Sequence, residues 1–518
     1  MHRFAELTSF CKATFVLRVK LMRLIGILLS VALFVTLNCA AAVPKPNILL
    51  IVADDLGYGE LGCQGNPEIP TPHIDSLAKN GVRFTQGYVT ASFCAPSRAA
   101  LLTGRYQQRF GYESNVIGKE NRDPKTGLAL TEKTMADHLK AAGYVTGMVG
   151  KWHLGGTERF HPQRRGFDEF FGFLHEGHFF APTGAEGVKS FLRTNGVPAG
   201  QTSTTGNVTW SNHTDGNEPP YDADNPLLRG SNVVTETSYL TEAFTREAVG
   251  FIERHKGQPW FLYLPYNAVH SPMQATTRDL ARFTAITNEH RRMFAAMLAS
   301  LDDGVGALLA ALRAQGIEDN TLIIFLSDNG GPTQELTSSN QPLRGGKGTV
   351  FEGGLRIPFL MQWKSKLPQG VVSDLVVSSL DILPTALAAA GERPAANVTL
   401  DGVSLLDWFP RTARSVPHET LFWRMPQQAA VRRGDWKILR ERNATVWQLF
   451  DLRHDPGEKE DLAGRRPEIV ADLGAAYEAW AAQVTPPATT AVPSKPTTPA
   501  PKTPTPPART PGPPTKKL

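Results

Sequence analysis

Along most of this chain, short runs of wholly apolar residues end in polar or acidic ones and alternate with stretches of helical spacing. Asn47-Ile48-Leu49-Leu50-Ile51-Val52-Ala53 runs into Asp54-Asp55, and Val145-Thr146-Gly147-Met148-Val149 runs into Gly150-Lys151-Trp152-His153. Trp260-Phe261-Leu262-Tyr263-Leu264 leads to Asn267-Ala268-Val269-His270, and Thr321-Leu322-Ile323-Ile324-Phe325-Leu326 leads to Ser327-Asp328-Asn329. Unbroken apolar runs of this length predict strands buried on both faces, in a sheet covered by helices. Thr134 to Ala142 has helical spacing and stops at Gly143. Ligands of open α/β sheets bind at the carboxyl ends of the strands, so four strand ends place their polar residues at one predicted site. Beyond about Thr399, segments around Leu421-Phe422-Trp423, Trp436-Lys437-Ile438-Leu439 and Trp447-Gln448-Leu449-Phe450-Asp451 predict hairpin strands, and Pro467 to Gln483 a closing helix. These form a second, smaller domain.

The two ends of the chain read differently. Leu24 to Leu37 is apolar apart from Ser30 and Thr36, follows Arg18, Lys20 and Arg23, and precedes the small residues Cys39-Ala40-Ala41-Ala42. That layout predicts a secretory signal over residues 1–42, with an uncleaved anchor as the competing reading. From Val484 onward Pro and Thr dominate with scattered Lys, a composition that cannot bury enough apolar surface to fold. The expected organisation is therefore signal 1–42, catalytic α/β domain 43–398, small-sheet and helix subdomain 399–483, and disordered tail 484–518.

With 41% hydrophobic and 20% charged residues, the chain has ample material for a deep pocket. Of its formal charge of +5, the first 42 residues supply +4 and the stretch from Val484 supplies +5, leaving the middle near −4. Net charge thus gives no ground for nucleic acid binding. Asn207, Asn212, Asn397 and Asn443 each begin a glycosylation sequon, which matters only in a host that glycosylates secreted proteins.

Asp54, Asp55, Asp328 and Asn329 offer hard oxygen ligands that suit Ca²⁺ or Mg²⁺ better than zinc. Adjacent acids at one strand end are often helix caps, but the second pair at another strand end shifts the reading to a cation, because converging carboxylates repel. Arg98, Lys151, His153, His270 and Lys347 bring the complementary charge for a bound anion. Lys151 and His153 lie in Gly150-Lys-Trp-His-Leu-Gly155, and Lys347 in the glycine-rich stretch from Pro342 to Gly354. Lys347 has the alternative of pairing with Glu352. An insert from about Arg159 to Asp224, with Arg164, Arg165, His175 and His178, is expected to shape the pocket mouth, with a solvated turn as the competing reading for the two arginines beside Gly166.

Cys94-Ala95-Pro96-Ser97-Arg98, continued by Ala99-Ala100-Leu101-Leu102-Thr103-Gly104-Arg105, is the most specific motif. A free cysteine is usually a small buried hydrophobe, yet such a residue gives no packing reason for an arginine four positions on. This run resembles the sulfatase family, and from about Pro46 to Ala463 the chain is similar to its arylsulfatase branch. The resemblance implies an alkaline-phosphatase-like sandwich, with a large mixed, mostly parallel sheet flanked by helices and a smaller C-terminal antiparallel sheet. It implies that Cys94 is oxidised to formylglycine by a formylglycine-generating enzyme acting on the unfolded segment. Of the two cysteines after residue 42, Cys63 and Cys94, the modification would leave only one, so no disulfide framework is expected.

By the same resemblance, Asp54, Asp55, Asp328, Asn329 and modified Cys94 would hold one Ca²⁺. Arg98 would steady the formylglycine hydroxyls, and Lys151 and Lys347 would grip the sulfate, with His270 beside them. Attack on sulfur by the hydrated aldehyde, with Asp328 as base and His270 or Lys347 protonating the leaving oxygen, would give a covalent sulfoenzyme. His153 would then take a proton and expel sulfate. The implied activity is secreted (extracellular, periplasmic or lysosomal) hydrolysis of an aryl sulfate or sulfated sugar. Pro342 to Gly354 is especially similar to enzymes acting on sulfated N-acetylgalactosamine. Asp-Asn at 328–329, where phosphonate monoester hydrolases and some sulfatase branches carry Asp-His, moves the reading toward a calcium-dependent sulfatase. A phosphodiesterase or phosphonate monoester hydrolase, and an inactive secreted glycan-binding homologue, remain as alternatives.

Overall fold

The computed structural model describes residues 45–394, 398–409 and 416–486, together with Met22. The expected signal, apart from Met22, and the tail beyond residue 486 lie outside the described residues, as does Asn397. In chain order the strands are β1 (Asn47–Ala53), β2 (Val82–Tyr88), β3 (Val145–Lys151), β4 (Glu169–Phe173), β5 (Val188–Arg193) and β6 (Thr202–Thr205). Next come β7 (Val208–Ser211), β8 (Leu228–Arg229), β9 (Asn232–Val233), β10 (Trp260–Pro265), β11 (Met273–Thr276) and β12 (Thr321–Ser327). The last are β13 (Arg356–Gln362), β14 (Val371–Ser378), β15 (Thr420–Met425), β16 (Gln428–Arg433), β17 (Trp436–Arg440) and β18 (Gln448–Asp451).

Ten of these form one mixed sheet in the order β14-β2-β13-β12-β1-β10-β3-β4-β8-β9. Its centre, β12-β1-β10-β3-β4, is parallel throughout, and antiparallel pairs enter at β13 and β8. All seven residues of β1 are buried, as an apolar strand covered on both faces requires. Its side chains alternate between two cores. Leu49, Ile51 and Ala53 pack under helices Leu240–His255 and Glu289–Ala314, while Ile48, Leu50 and Val52 face helices Cys94–Thr103, Met135–Ala141 and Ile382–Ala389. Glu289–Ala314 is long and apolar enough to cross a membrane, but 78% of its apolar window is buried inside the protein, which makes it a core helix.

The four sequence-predicted strands are neighbours in space. Ala53 pairs with Ser327, Val52 with Pro265 and Tyr263 with Met148, so the ends of β12, β1, β10 and β3 open on one edge. Thr134 caps the helix that leads into β3 by accepting the Asp137 N–H, and Asp137 accepts the Thr134 N–H in return.

Strands β5, β6 and β7 of the insert join β11, which begins three residues after His270, in a four-stranded sheet, β11-β5-β7-β6. The C-terminal sheet is an antiparallel meander, β15-β16-β17-β18. Helix Pro467–Ala481 covers one face of it with Leu473, Tyr477 and Trp480. The other face meets Tyr88, Ala91, Val350, Phe351 and Leu355 of the main body. The hairpin pattern in the sequence marks three of these four strands. β16, Gln-Ala-Ala-Val-Arg-Arg, lacks the aromatic residues that identify the others.

Candidate active site

Helix Cys94–Thr103 starts after Phe93 in extended conformation and ends at Gly104, whose left-handed φ of 63° suits a residue without Cβ. All ten of its residues are buried. Cys94 Sγ lies 3.6 Å from Asp54 Oδ1, and the Ala95 N–H donates to Asn115 Oδ1. Burial pushes the Cys94 thiol above its ordinary value, against the pull of Lys151 and Lys347, so an unmodified Cys94 is a protonated, poor nucleophile.

Three carboxylates and three cations interlock beside it. Lys151 Nζ sits 2.6 Å from Asp54 Oδ2, Lys347 Nζ 2.8 Å from Asp55 Oδ2, and Arg98 donates to Asp328 Oδ2 from Nε at 3.0 Å and Nη2 at 2.8 Å. Arg98 also reaches the Lys151 carbonyl at 3.2 Å and lies 3.5 Å from Asp54. Burial pushes the Asp54 carboxyl upward, but Lys151, Arg98 and Lys347 together hold it below the usual range. At Asp55 burial wins. Its carboxyl is pushed up to about 7, with Lys347 opposing and Asp54 and Asp328 adding repulsion. Burial opposes the charge on Lys347, yet Asp55 holds its ammonium well above the ordinary value. The alternative pairing of Lys347 with Glu352 is not formed, since Glu352 is taken by Lys437 and Tyr88.

Asn329 donates from Nδ2 to Asp55 Oδ1 at 2.6 Å, which leaves its own Oδ1 buried and without a partner. One ligand atom from each of Asp54, Asp55, Cys94 and Asp328 falls within 4.8 Å of the others. An orphaned amide oxygen beside clustered carboxylates fits a hard cation such as Ca²⁺.

The two histidines are fixed by main-chain carbonyls, which can only accept. His153 Nε2 donates to Val116 O at 2.8 Å, so the lone pair is on Nδ1, a buried atom with no partner. His270 Nδ1 donates to Ser271 O at 2.5 Å, which leaves Nε2 facing Asp55 Oδ2 at 3.6 Å. Burial, reinforced by Lys151 at His153 and by Lys347 at His270, drives both well below the ordinary imidazole range, so both rings are neutral near pH 7. Asp55 and His153 hold φ values of 65° and 57°, a region costly for residues with a Cβ and common at functional sites.

All ten sequence-predicted site residues thus meet at one strand-end edge. In the insert, Arg164, Arg165 and His178 are held by partners within the protein. Arg165 is buried on the carbonyls of Leu128, Ala129 and Glu132, and Arg164 pairs with Glu158. His178 bonds the Phe179 carbonyl, and His175 packs beside Gly156. What reaches the site from the insert is Tyr221, whose hydroxyl lies 3.0 Å from Ser271 Oγ and whose ring is edge-on to His270. Ser271 donates onward to Glu335 at 2.8 Å. Ser338 also escaped sequence reading. It accepts the Gly57 N–H and donates to the Asp55 carbonyl, and a lone serine in a loop carries no pattern that would reveal this.

A family model described as Sulfatase matches residues 46–392, and one described as N-sulphoglucosamine sulphohydrolase, C-terminal, matches residues 346–476. Arylsulfatase A from Homo sapiens is 36% identical over 484 residues, covering 85% of this chain and 89% of that protein. N-acetylgalactosamine-6-sulfatase from Homo sapiens is 34% identical, with 71% and 67% of the two chains covered. Among solved structures, Ps i-CgsB in complex with k-i-k-neocarrahexaose superposes with a TM-score of 0.74 at 36% identity, over 85% of this chain and 93% of that one.

Proposed function

The chain belongs to the sulfatase family and is a sulfuric ester hydrolase, and from that premise we propose that it removes sulfate from a sulfated saccharide, using formylglycine made from Cys94 and one Ca²⁺. The observation that carries this reading is the setting of Cys94, 3.6 Å from Asp54 in a cluster where three carboxylates, three cations and an orphaned Asn329 oxygen converge. The relative named for N-acetylgalactosamine-6-sulfate and the neighbour bound to neocarrahexaose support a saccharide.

Asp54, Asp55, Asp328, Asn329 and modified Cys94 would hold the ion. When present, the hydrated aldehyde supplies an oxygen nucleophile for sulfur and a second hydroxyl through which sulfate can leave, while Ca²⁺ polarises the sulfuryl oxygens. Lys151 and Lys347 place their ammonium groups where charge develops on those oxygens. Arg98 fixes the orientation of Asp328 as base and steadies the hydroxyls at position 94. Lys347, whose ammonium Asp55 keeps charged, gives a proton to the departing oxygen, and His270, held by Ser271 through Nδ1, can share that role only once Nε2 has taken up a proton. His153 Nδ1, with its lone pair free, takes a proton from the group at position 94.

Cys94, Pro96, Ser97 and Arg98 are all buried, which supports modification by a formylglycine-generating enzyme before folding closes the segment. On this reading residues 1–42 direct secretion and are removed. Residues 43–398 do the chemistry, and 399–483 form the small-sheet and helix subdomain packed beside them.

Hydrolysis of a nitrophenyl sulfate, phosphate and phosphonate by the purified protein tests the assignment. The sulfate should turn over fastest. Faster phosphonate turnover, or none of the three with Cys94 still a thiol, overturns it.

A further inference from the structure

Lys347 sits on a glycine-rich loop with few side chains of its own to hold it. Three attachments from the C-terminal sheet and the segment after it fasten that loop, one before Lys347, one next to it and one after. The Arg344 guanidinium donates to the Glu458 carbonyl at 2.8 Å and lies over the Phe351 ring at 3.9 Å. Gln428, the first residue of β16, donates to the Gly348 carbonyl at 2.9 Å. Glu458 Oε2 accepts the Glu352 N–H at 2.7 Å. One residue, Glu458, therefore grips both ends of the loop, by its carbonyl at Arg344 and by its carboxylate at Glu352.

Glu458 is itself pinned. Lys437 Nζ lies 2.8 Å from Glu458 Oε1 and 2.9 Å from Glu352 Oε1, and all three side chains are excluded from solvent. Tyr88 OH donates to the other oxygen of Glu352 at 2.5 Å. A buried lysine between two buried carboxylates is a costly arrangement, which a packing role alone does not require. It is long-range as well, since residues 437 and 458 reach across the interface to 344 and 352.

We propose that Glu458 is a positioning residue for sulfate ester hydrolysis: bridging Lys437, Arg344 and the main chain of Glu352, it holds the loop that sets Lys347 against Asp55. This rests on the assignment of Lys347 to the reacting sulfate. The C-terminal sheet then acts on the chemistry through a defined contact, without touching the substrate there.

A double-mutant cycle in the full chain, followed by nitrophenyl sulfate kinetics and melting temperature, tests the proposal. Glu458→Ala should lower kcat/KM by roughly tenfold to a hundredfold, the cost of a displaced catalytic group. Glu458→Gln should stay within about threefold of the parent, because its amide oxygen still accepts the Glu352 N–H. In a Lys347→Ala background, Glu458→Ala should cost less than about threefold more, since the group it positions is already gone. A full additional loss there overturns the proposal and leaves the role of Lys347 intact. If Lys347→Ala alone retains parental activity, the assignment of Lys347 falls and the proposal with it. Should Glu458→Ala not fold, Gln428→Ala loosens the same loop at Gly348 and must show the same non-additivity with Lys347→Ala; additive losses overturn the proposal.

Discussion

Replacing Glu458 by Gln should flatten a pH dependence of stability that the native chain carries. Two buried carboxylates, Glu352 and Glu458, share the single ammonium of Lys437. Burial pushes both carboxyls up. At Glu352 Lys437, Arg356 and Arg432 outweigh burial and bring it to about 2, whereas at Glu458 burial prevails over Lys437 and brings it to about 7. A rise from the ordinary 4.5 to about 7, at about 1.4 kcal/mol for each pH unit, corresponds to roughly 3 kcal/mol. The folded carboxyl keeps a proton that the unfolded chain releases, so this stabilisation is complete below pH 4.5 and is lost as pH rises to about 7. Gln cannot ionise. Against the parent, Glu458→Gln should therefore be near neutral at the acid end and more stable by about 3 kcal/mol above pH 7. In the ion-free protein Asp55 titrates in the same window in parent and variant alike and cancels in the difference. Melting curves of both proteins between pH 4.5 and 8 provide the assay. A difference that stays constant across the window, or a variant less stable at pH 8, would refute the raised Glu458 carboxyl.

Removing Ca²⁺ with a chelator should lower the melting temperature, and adding it back should restore it. At a hundredfold excess over its dissociation constant the ion is worth about 2.7 kcal/mol, and an unchanged melting curve would contradict a site at Asp54, Asp55, Asp328 and Asn329. His153→Ala should reduce steady-state nitrophenyl sulfate turnover by about 10² to 10⁴ while leaving the first release of nitrophenol in a stopped-flow trace. Loss of that first release would move His153 to the earlier proton transfer. Trp423→Ala should destabilise by about 3 to 5 kcal/mol, read by thermal melting, because the indole is 1% exposed and donates to the Val89 carbonyl at 2.7 Å across the interface of the small sheet.

The centre of this fold was legible because its strands are buried on both faces and so are written as unbroken apolar runs. β1 and β12 are paired residue for residue, and their polar ends meet for that reason. The motif around Cys94 was legible as a family resemblance, which a free cysteine alone would not provide. What escaped detection depends on contacts between residues far apart in the chain. Glu458 grips Arg344 and Glu352 from more than a hundred positions away, and Tyr221 reaches out of the insert to Ser271, 50 positions on. No local period encodes such pairs. Arg164 and Arg165 are taken up by Glu158 and by main-chain carbonyls. Their charge suggested the pocket mouth, but a buried arginine such as Arg165 satisfies main-chain carbonyls just as well.

The account turns on the chemical state of residue 94. Mass analysis of the peptide Phe84 to Arg98, taken from protein that hydrolyses nitrophenyl sulfate, should show the cysteine thiol replaced by an aldehyde or its hydrate. An unmodified thiol at full occupancy in active protein would contradict it.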